Sequence, residues 1–339
     1  MSAVYGGIDL HSNNSVLAVK DSEGKVLYRR RLENNLHNIE QALAPYRQRL
    51  VGVVVESTFN WYWLVDGLME AGYPVKLANP AAIQQYSGLK HTDDDSDAEW
   101  LAEMLRLGIL PTGYIYPKAE RGVRDLLRKR RHLVGQRTSN ILSVQNIMGR
   151  SEGERLKGDA IKSLRVEEVE ALMSQPDVAL AMGASVAVIQ CLNEQIKNIE
   201  KVVLDRVKLR EEFRVLKTTP GIGDILALTI MLETGAISRF ESVGDFASYC
   251  RCVDSRKISN KKKKGEGNVK NGNRYLAWAF VEAANFAIRF SVPIQRFYQR
   301  KYKRTNGIVA IKAVAHKLAR AAYHMLRDGV AFDVNKAFS

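Results

Sequence analysis

The spacing of apolar and polar residues changes character several times along the chain. Residues 4–33 alternate in strand fashion (VYGGID, SVLAVKD, KVLYRRRLE), with turn-forming residues at 11–14 and 21–24, which predicts a three-stranded meander. Residues 35–50 repeat with the period of an amphipathic helix. The run VGVVV at 51–55 is continuously apolar and is closed by Glu56, as expected of a strand covered on both faces. A helix is predicted over 60–71, a strand over 73–78, and a short helix from Pro80 to Tyr86. Three strands, helix, strand, helix, strand, helix is an α/β order with a mixed sheet, and it predicts one domain over residues 1–117.

From Pro117 onward the pattern is helical. ERGVRDLLRKRRHLVGQRTSNILSVQNIMGR has the helical period, residues 151–185 have no clear period, and residues 186–210 place Val188, Cys191, Leu192, Gln195, Ile199, Val202 and Val203 on one stripe. Two long helices of this kind predict an extended arm over 118–210, a candidate for self-association as a coiled coil. Residues 211–339 predict a mostly α-helical C-terminal domain. It opens on LKTTPGIGDILALTIMLETG, where the Pro-Gly-Ile-Gly turn before an apolar helix resembles the hairpin of helix-hairpin-helix units. In those units glycines, here Gly221 and Gly223, let backbone N–H groups approach a phosphate. FASYCRCV at 246–253 predicts a strand carrying Cys250 and Cys252 as small core residues.

Charge changes the picture. Across 339 residues the net charge is +14, an excess that favours nucleic acid or an anionic membrane surface as partner. No run of about 18 apolar residues and no basic-then-apolar leader stands out, so a cytosolic protein without a membrane partner is expected. Three cysteines make neither a disulfide framework nor a four-ligand zinc set. The positive residues cluster. Arg121, Arg124, Arg128, Lys129, Arg130 and Arg131 lie on the first long helix with few acids near them in sequence, which suits either a solvated face or a polyanion. Lys261, Lys262, Lys263, Lys264 and Lys270 lie among glycines just ahead of Arg274 and a further helix, and a flexible cationic loop opening onto a helix suits a phosphodiester backbone.

The acids cluster too. KHTDDDSDAEWLAEMLR at 90–106 packs four aspartates ahead of a helix whose Trp100, Leu101, Met104 and Leu105 share an apolar face. Asp94 and Asp97, three apart on its first turn, lie on one side, roughly 5–6 Å apart at Cβ. On this stretch alone a well-capped helix start, favoured by the helix dipole, is the plainer explanation. Asp9 follows Gly6 and Gly7 at the end of the first strand, and Glu56 closes a buried strand where an ionised carboxylate needs a partner. Two strand ends and one helix start can meet at one edge of a sheet. Four carboxylates there would hold two divalent ions, Mg²⁺ or Mn²⁺, about 3.5–4 Å apart, as in in-line displacement at phosphorus. This layout resembles RuvC and RNase H-like nucleases.

GIDLH around Asp9, VVVES around Glu56, TDDDSDAEWLAEMLR, TTPGIG and SRKISNKKKKGEGNVKNGNRYLAWAF occur in this order over nearly the whole chain. Together they resemble the transposases of the insertion-sequence 110/1111 group, which includes Piv-type invertases. The resemblance implies a RuvC-like domain with an Asp-Glu-Asp-Asp tetrad on Asp9, Glu56, Asp94 and Asp97, a coiled-coil arm, and a C-terminal transposase domain whose nucleophile falls on Ser259. The family often has Pro five residues before that Ser and Gly after it. Here Asp254 and Asn260 occupy those positions, and Ser255 is the competing candidate. The resemblance further implies a dimer or tetramer acting on donor and target DNA, guided by an element-encoded structured noncoding RNA. That RNA would suit the basic arm, read through shape and phosphates. The alternatives are a RuvC-type nuclease that uses water as nucleophile and a nucleic-acid binder without catalysis.

Overall fold

The computed structural model describes residues 2–83, 94–253, 256–259, 262–266 and 271–338, with 94–96, 256–259 and 262–266 described by backbone alone. The chain divides into two compact units, residues 1–118 with 267–271, and 119–266 with 272–339.

The first unit is built on a mixed sheet. Its elements are β1 (Val4–Leu10), β2 (Asn14–Asp21), β3 (Val26–Glu33), α1 (Leu36–Leu43), β4 (Leu50–Glu56), α2 (Tyr62–Glu70), β5 (Val75–Ala78), α3 (Pro80–Ile83), α4 (Asp94–Arg106) and β6 (Thr112–Gly113). Among the described residues the strand order is β3-β2-β1-β4-β5-β6. The meander β1-β2-β3 is antiparallel, while β4 joins β1 and β5 joins β4 in parallel. The predicted helix over 35–50 stops early because Pro45 opens a tighter 3-10 turn at Ala44–Arg49. The remainder of the helix predicted from Pro80 to Tyr86 lies outside the described residues beyond Ile83.

Alternation along the strands gives the sheet two apolar faces. Val4, Ile8, Leu17, Val19, Val53 and Val55 pack against Ile39 and Leu43 of α1 and Leu64, Val65 and Leu68 of α2. The opposite face takes α4. Ala98 packs on Val16 and Ala18, and Leu101, Met104 and Leu105 pack around Val54 and Ala78. Gly7 makes this seat possible, since a Cβ there would lie 2.1 Å from the Ala98 carbonyl oxygen and 2.7 Å from the Ala102 nitrogen. At its other end α4 is tied to the sheet by Glu103, which accepts from Lys20 Nζ at 2.8 Å and from Arg106 Nε at 3.1 Å.

The second unit is helical: α5 (Lys118–Ser151), α6 (Gly158–Ser163), α7 (Val166–Val169), α8 (Pro176–Val207), α9 (Glu211–Lys217), α10 (Asp224–Thr234), α11 (Val243–Tyr249), a two-stranded ribbon β7 (Arg256–Ser259) and β8 (Lys262–Glu266), α12 (Arg274–Phe290), α13 (Val292–Tyr302), α14 (Gly307–Asp328) and α15 (Val334–Phe338). It has two cores. Ile141, Val144 and Met148 of α5 pack with Ile161, Val169, Met182, Val186 and Ile189. The larger core joins α9, α10, α12 and α14 through Leu216, Leu228, Ile230, Phe280 and Leu318, and takes in Leu127, Val203 and Val207 from the other ends of the long helices.

Three expectations change here. The buried stripe of α8 runs through Met182, Val186, Ile189, Leu192, Ile196 and Val203, whereas Val188, Cys191 and Val202 face outward. Among the described residues α8 is also the one helix long and apolar enough, by length and composition, to cross a membrane. FASYCRCV is no strand: α11 runs to Tyr249 and the chain then turns through Arg251 at φ 54°. Burial raises both thiols there, Cys250 well above its ordinary value and Cys252 to about 12. The cationic loop contains an antiparallel ribbon, with Ser259 paired to Lys262 at its tip.

Candidate active site and nucleic-acid surface

The carboxylates are placed by register. Strands β1 and β4 run parallel with Ile8 opposite Val55, so the next residues, Asp9 one short of the end of β1 and Glu56 at the end of β4, lie side by side. Laterally paired residues share a face, and Asp9 shares the face of Gly7, on which α4 lies. The direction of α4 follows from its contacts. Ala98 sits over Gly7, while Leu105 reaches Gly52, which pairs with Tyr5 toward the start of β1. The first turn of α4, with Asp94 and Asp97, therefore lies toward the strand ends that carry Asp9 and Glu56.

Asp9 is 4% exposed, and Glu56 and Asp97 are half-buried. The side chain of Asp94 lies outside the described residues. Among the described residues no three His, Cys, Asp or Glu side chains are grouped as a ligand set. The donor chemistry nonetheless fits a hard divalent cation, because every predicted member is a carboxylate. Burying the Asp9 carboxylate favours a positive partner.

The scaffold around Asp9 is made of residues that the sequence pattern does not single out. His11 Nε2 lies 3.2 Å from Asp9 Oδ2. The His11 carbonyl accepts from Asn34 Nδ2 at 3.0 Å and Asn60 Nδ2 at 2.9 Å. Asn34 in turn accepts from Ser15 Oγ at 2.6 Å, and Asn60 from Thr58 Oγ1 at 2.9 Å. These bonds fix the turn after β1 to the segments after β3 and β4. The signal available in sequence was a His two residues beyond the acid, in GIDLH.

The basic residues of α5 are less free than their sequence suggests. Arg121 and Arg124 are buried, and Arg124 Nε lies 3.4 Å from Asp125. Arg128 makes a bidentate pair with Glu233, at 2.6 and 2.7 Å. Glu233 is 3% exposed and also accepts from Asn273 Nδ2 at 2.7 Å. Burial opposes the charge on Arg128, but the Glu233 carboxylate overcomes it and holds the guanidinium above its ordinary pKa. Arg130 pairs with Glu200 at 2.6 Å. Few acids stand near this run in sequence, yet Glu200 and Glu233 reach it from α8 and α10. Lys129 is exposed, and Arg131 stacks on Trp278 with its guanidinium carbon 4.1 Å from the ring centroid.

The two glycines of the hairpin differ. Gly221, at φ +88°, is pressed against α12, where a Cβ would lie 2.5 Å from the Ala287 nitrogen. Gly223 precedes α10, and a Cβ on it would meet nothing within 4 Å. Backbone approach is therefore open at Gly223, while Gly221 serves packing. Ser259 ends β7, and Lys262, Lys263 and Lys264 lie on β8, with the side chains of all four outside the described residues. Ser255, Lys261 and Lys270 lie outside the described residues altogether. Arg274 is exposed on the first turn of α12, whose start is capped by Asn273 Oδ1 accepting from the backbone of Tyr275 and Leu276.

A meander joined to parallel strands, with acids toward the ends of β1 and β4 and a helix that begins beside them, defines a RuvC-like α/β domain. Comparison with known proteins narrows the class. Residues 6–150 match the model of the IS110-type DEDD transposase domain, and residues 213–299 match that of the transposase IS116/IS110/IS902 family. The chain belongs to the IS110 family of transposases, enzymes that cleave and transfer DNA. It is 23% identical to the transposase for insertion sequence element IS1111A of Coxiella burnetii, over 84% of this chain and 77% of that one. It is likewise 23% identical to the transposase for insertion sequence element IS1328 of Yersinia enterocolitica, over 96% and 97% of the two chains. A putative transposase of Sinorhizobium fredii, y4qE, is 23% identical over 95% of this chain and 81% of its own length.

Proposed function

We propose that this chain is a site-specific DNA recombinase of an insertion sequence that cuts and rejoins strands through a phosphoserine link at Ser259. In this reading Asp9, Glu56, Asp94 and Asp97 hold Mg²⁺, with Mn²⁺ as a substitute. Bound there, the divalent ion supplies positive charge against the phosphate that reacts. The Ser259 hydroxyl attacks phosphorus, an Oγ–P bond forms, and one P–O bond of the DNA backbone breaks. The departing strand end leaves as a hydroxyl and takes up the proton. Attack by a new strand end reverses the sequence, so no external energy source is needed for rejoining. The lysines on β8 and beside it, Lys261, Lys262, Lys263, Lys264 and Lys270, stabilise charge on the phosphate.

The remaining parts of the reading concern partners. The basic helix α5 receives a structured guide RNA, the hairpin before α10 touches a DNA backbone through Gly223, and α5 with α8 forms a coiled-coil arm between copies in a dimer or tetramer. The enzyme works in the cytoplasm. Residues 1–117, 118–210 and 211–339 serve as catalytic domain, arm and serine domain.

The observation that carries the reading is the register that sets Asp9 beside Glu56, with the first turn of α4 toward them. Its test is strand cutting on cognate DNA across a Mg²⁺ and Mn²⁺ titration. Asp9→Asn, Glu56→Gln and Asp94→Asn should each lower cutting by about 100-fold or more at fixed metal, since loss of an outer partner alone costs about 10–100-fold. Their folding should be retained. Cutting that needs no metal, or wild-type cutting by all three variants, would remove the metal site from the account.

A further inference from the structure

Beside the Arg128–Glu233 pair, α5 and the start of α12 border an open groove of about 570 Å³. Arg128, Arg131 and Arg274 line it with Tyr275. The guanidinium carbons of Arg128 and Arg274 lie 4.7 and 5.1 Å from the Tyr275 ring centroid. Stacking on Tyr275 and Trp278 fixes where these groups can point, so little rotamer freedom is left to lose on binding. Arg128 is already neutralised by Glu233. Arg131 and Arg274 are different: among the described residues neither has a carboxylate within ion-pair distance. Burial pulls the Arg131 pKa below its ordinary value; repulsion from Arg274 and Arg130 adds to this, against the opposing pull of Tyr275 and Glu282. Two like charges held this way in a groove are relieved by an anion.

The groove continues along α5. His132, Gln136 and Ser139 follow Arg128 on the same face and add hydrogen-bonding groups, over roughly 16 Å at the helical rise per residue. Between them the floor is bare backbone at Gly135, where an added Cβ would meet nothing within 4 Å. A compact anion such as a free phosphate would use only the arginine end. The polar continuation fits a chain of phosphates.

We infer that this groove is a seat for one nucleic-acid strand, with a phosphodiester held between Arg131 and Arg274 and the strand running on over Gly135 toward Ser139. The inference rests on the nucleic-acid reading above and deepens it: of the basic residues of α5, Arg131 is assigned a phosphate, while Arg128 and Arg130 serve the fold.

Labelled single-stranded DNA, single-stranded RNA of the same sequence and the DNA duplex serve as probes, with affinity of the full chain measured by fluorescence anisotropy across a salt titration. Arg131→Gln with Arg274→Gln should lower the slope of log affinity against log salt by about 1.4–1.8, at roughly 0.7–0.9 per lost phosphate contact. Arg131→Lys with Arg274→Lys should restore most of it. Lys197→Gln with Lys201→Gln, two exposed lysines of α8, should leave the slope nearly unchanged. If the double glutamine variant unfolds, Arg274→Gln alone carries the test with half the loss. A greater loss on RNA assigns the groove to RNA, and a greater loss on either DNA probe assigns it to DNA; each outcome supports the seat. A wild-type slope in the glutamine variants overturns it, as does an equal loss in the α8 control. Failure of the nucleic-acid reading itself would look different, because the wild-type chain would then bind none of the probes.

Discussion

Gly7 is a residue on which one methyl group decides the position of a helix. An added Cβ would collide with backbone atoms of Ala98 and Ala102, which cannot rotate away. Gly7→Ala should therefore lift α4 and carry its acids away from the ends of β1 and β4. Overpacking of this kind costs about 1–3 kcal/mol, so a lower midpoint of thermal unfolding and lost strand cutting are expected together. Gly6→Ala is the internal control. Its nearest neighbour would be a side-chain carbon of Val53 at 3.3 Å, which can give way, and near-wild-type cutting is expected. A Gly7→Ala enzyme that cuts like wild type would show that the seat of α4 does not matter to the chemistry. His11 invites a parallel test. Its ring lies against Asp9 and its carbonyl is held by two asparagines. His11→Ala should raise the Mn²⁺ concentration for half-maximal cutting by about 10–100-fold, with the unfolding midpoint little changed. An unaltered metal requirement would make His11 a turn residue only. At this scale the placement of Asp9 and Glu56 toward the ends of neighbouring strands was legible in sequence, because each carboxylate marks where a strand run stops. Their supports, Asn34 and Asn60, were not, because each works through a backbone carbonyl that no sequence pattern marks.

Elements were legible where period alone decides them. The meander and the buried strand β4 follow their alternation, and α4 buries Leu101, Met104 and Leu105 as its spacing predicts. On α8 the period was right and the face was partly right: Leu192, Ile199 and Val203 of the expected stripe pack inward, while Val188, Cys191 and Val202 do not. Apolar residues on adjoining positions form two neighbouring stripes, and only the helices packed against α8 determine that Ile189 and Ile196 are buried while Val188 and Val202 are not. The charge balance of α5 failed for a related reason, since its counter-charges come from other helices. Glu233 could have been suspected, being an acid within the apolar run LALTIMLET. That pair gives an element-scale prediction. Arg128→Ala leaves the buried Glu233 carboxylate without its bidentate partner and should cost about 3–5 kcal/mol in urea unfolding. Arg128→Met with Glu233→Leu, which removes both charges, should cost less. Equal losses would mean that the pair is not what joins α5 to α10.

A second element-scale prediction concerns acid. The hydrogen bond from Arg106 lowers Glu103 to about 2; burial works against it, and Lys20 adds to it. A carboxyl depressed on folding stabilises the native state fully above its unfolded value of 4.5, and that contribution is lost as pH falls from 4.5 toward 2. The difference in unfolding midpoint between wild type and Glu103→Gln should be constant above pH 4.5 and shrink below it. A difference that stayed constant down to pH 2 would remove this tie between α4 and β2.

For the whole molecule, the net charge of +14 already indicated a polyanionic partner, and membership of the IS110 family makes DNA the substrate. The division of labour within that charge was not visible. On α5, Arg128 and Arg130 are taken by Glu233 and Glu200 while Arg131 stacks on Trp278, a partition that depends on which helices pack together. In the proposed reading the chemistry divides as well, between the carboxylates Asp9, Glu56, Asp94 and Asp97 and the hydroxyl of Ser259. A serine attack leaves the protein bonded to a DNA phosphate, whereas a water attack does not. The most direct measurement is thus trapping with a nicked cognate substrate, followed by denaturing electrophoresis of wild type, Ser259→Ala and Ser255→Ala. The account predicts a denaturant-resistant protein–DNA adduct in wild type and Ser255→Ala, none in Ser259→Ala, and DNA binding retained by all three. An adduct that persists in Ser259→Ala and vanishes in Ser255→Ala would move the nucleophile to Ser255, and cleavage with no adduct in any of them would contradict the covalent mechanism.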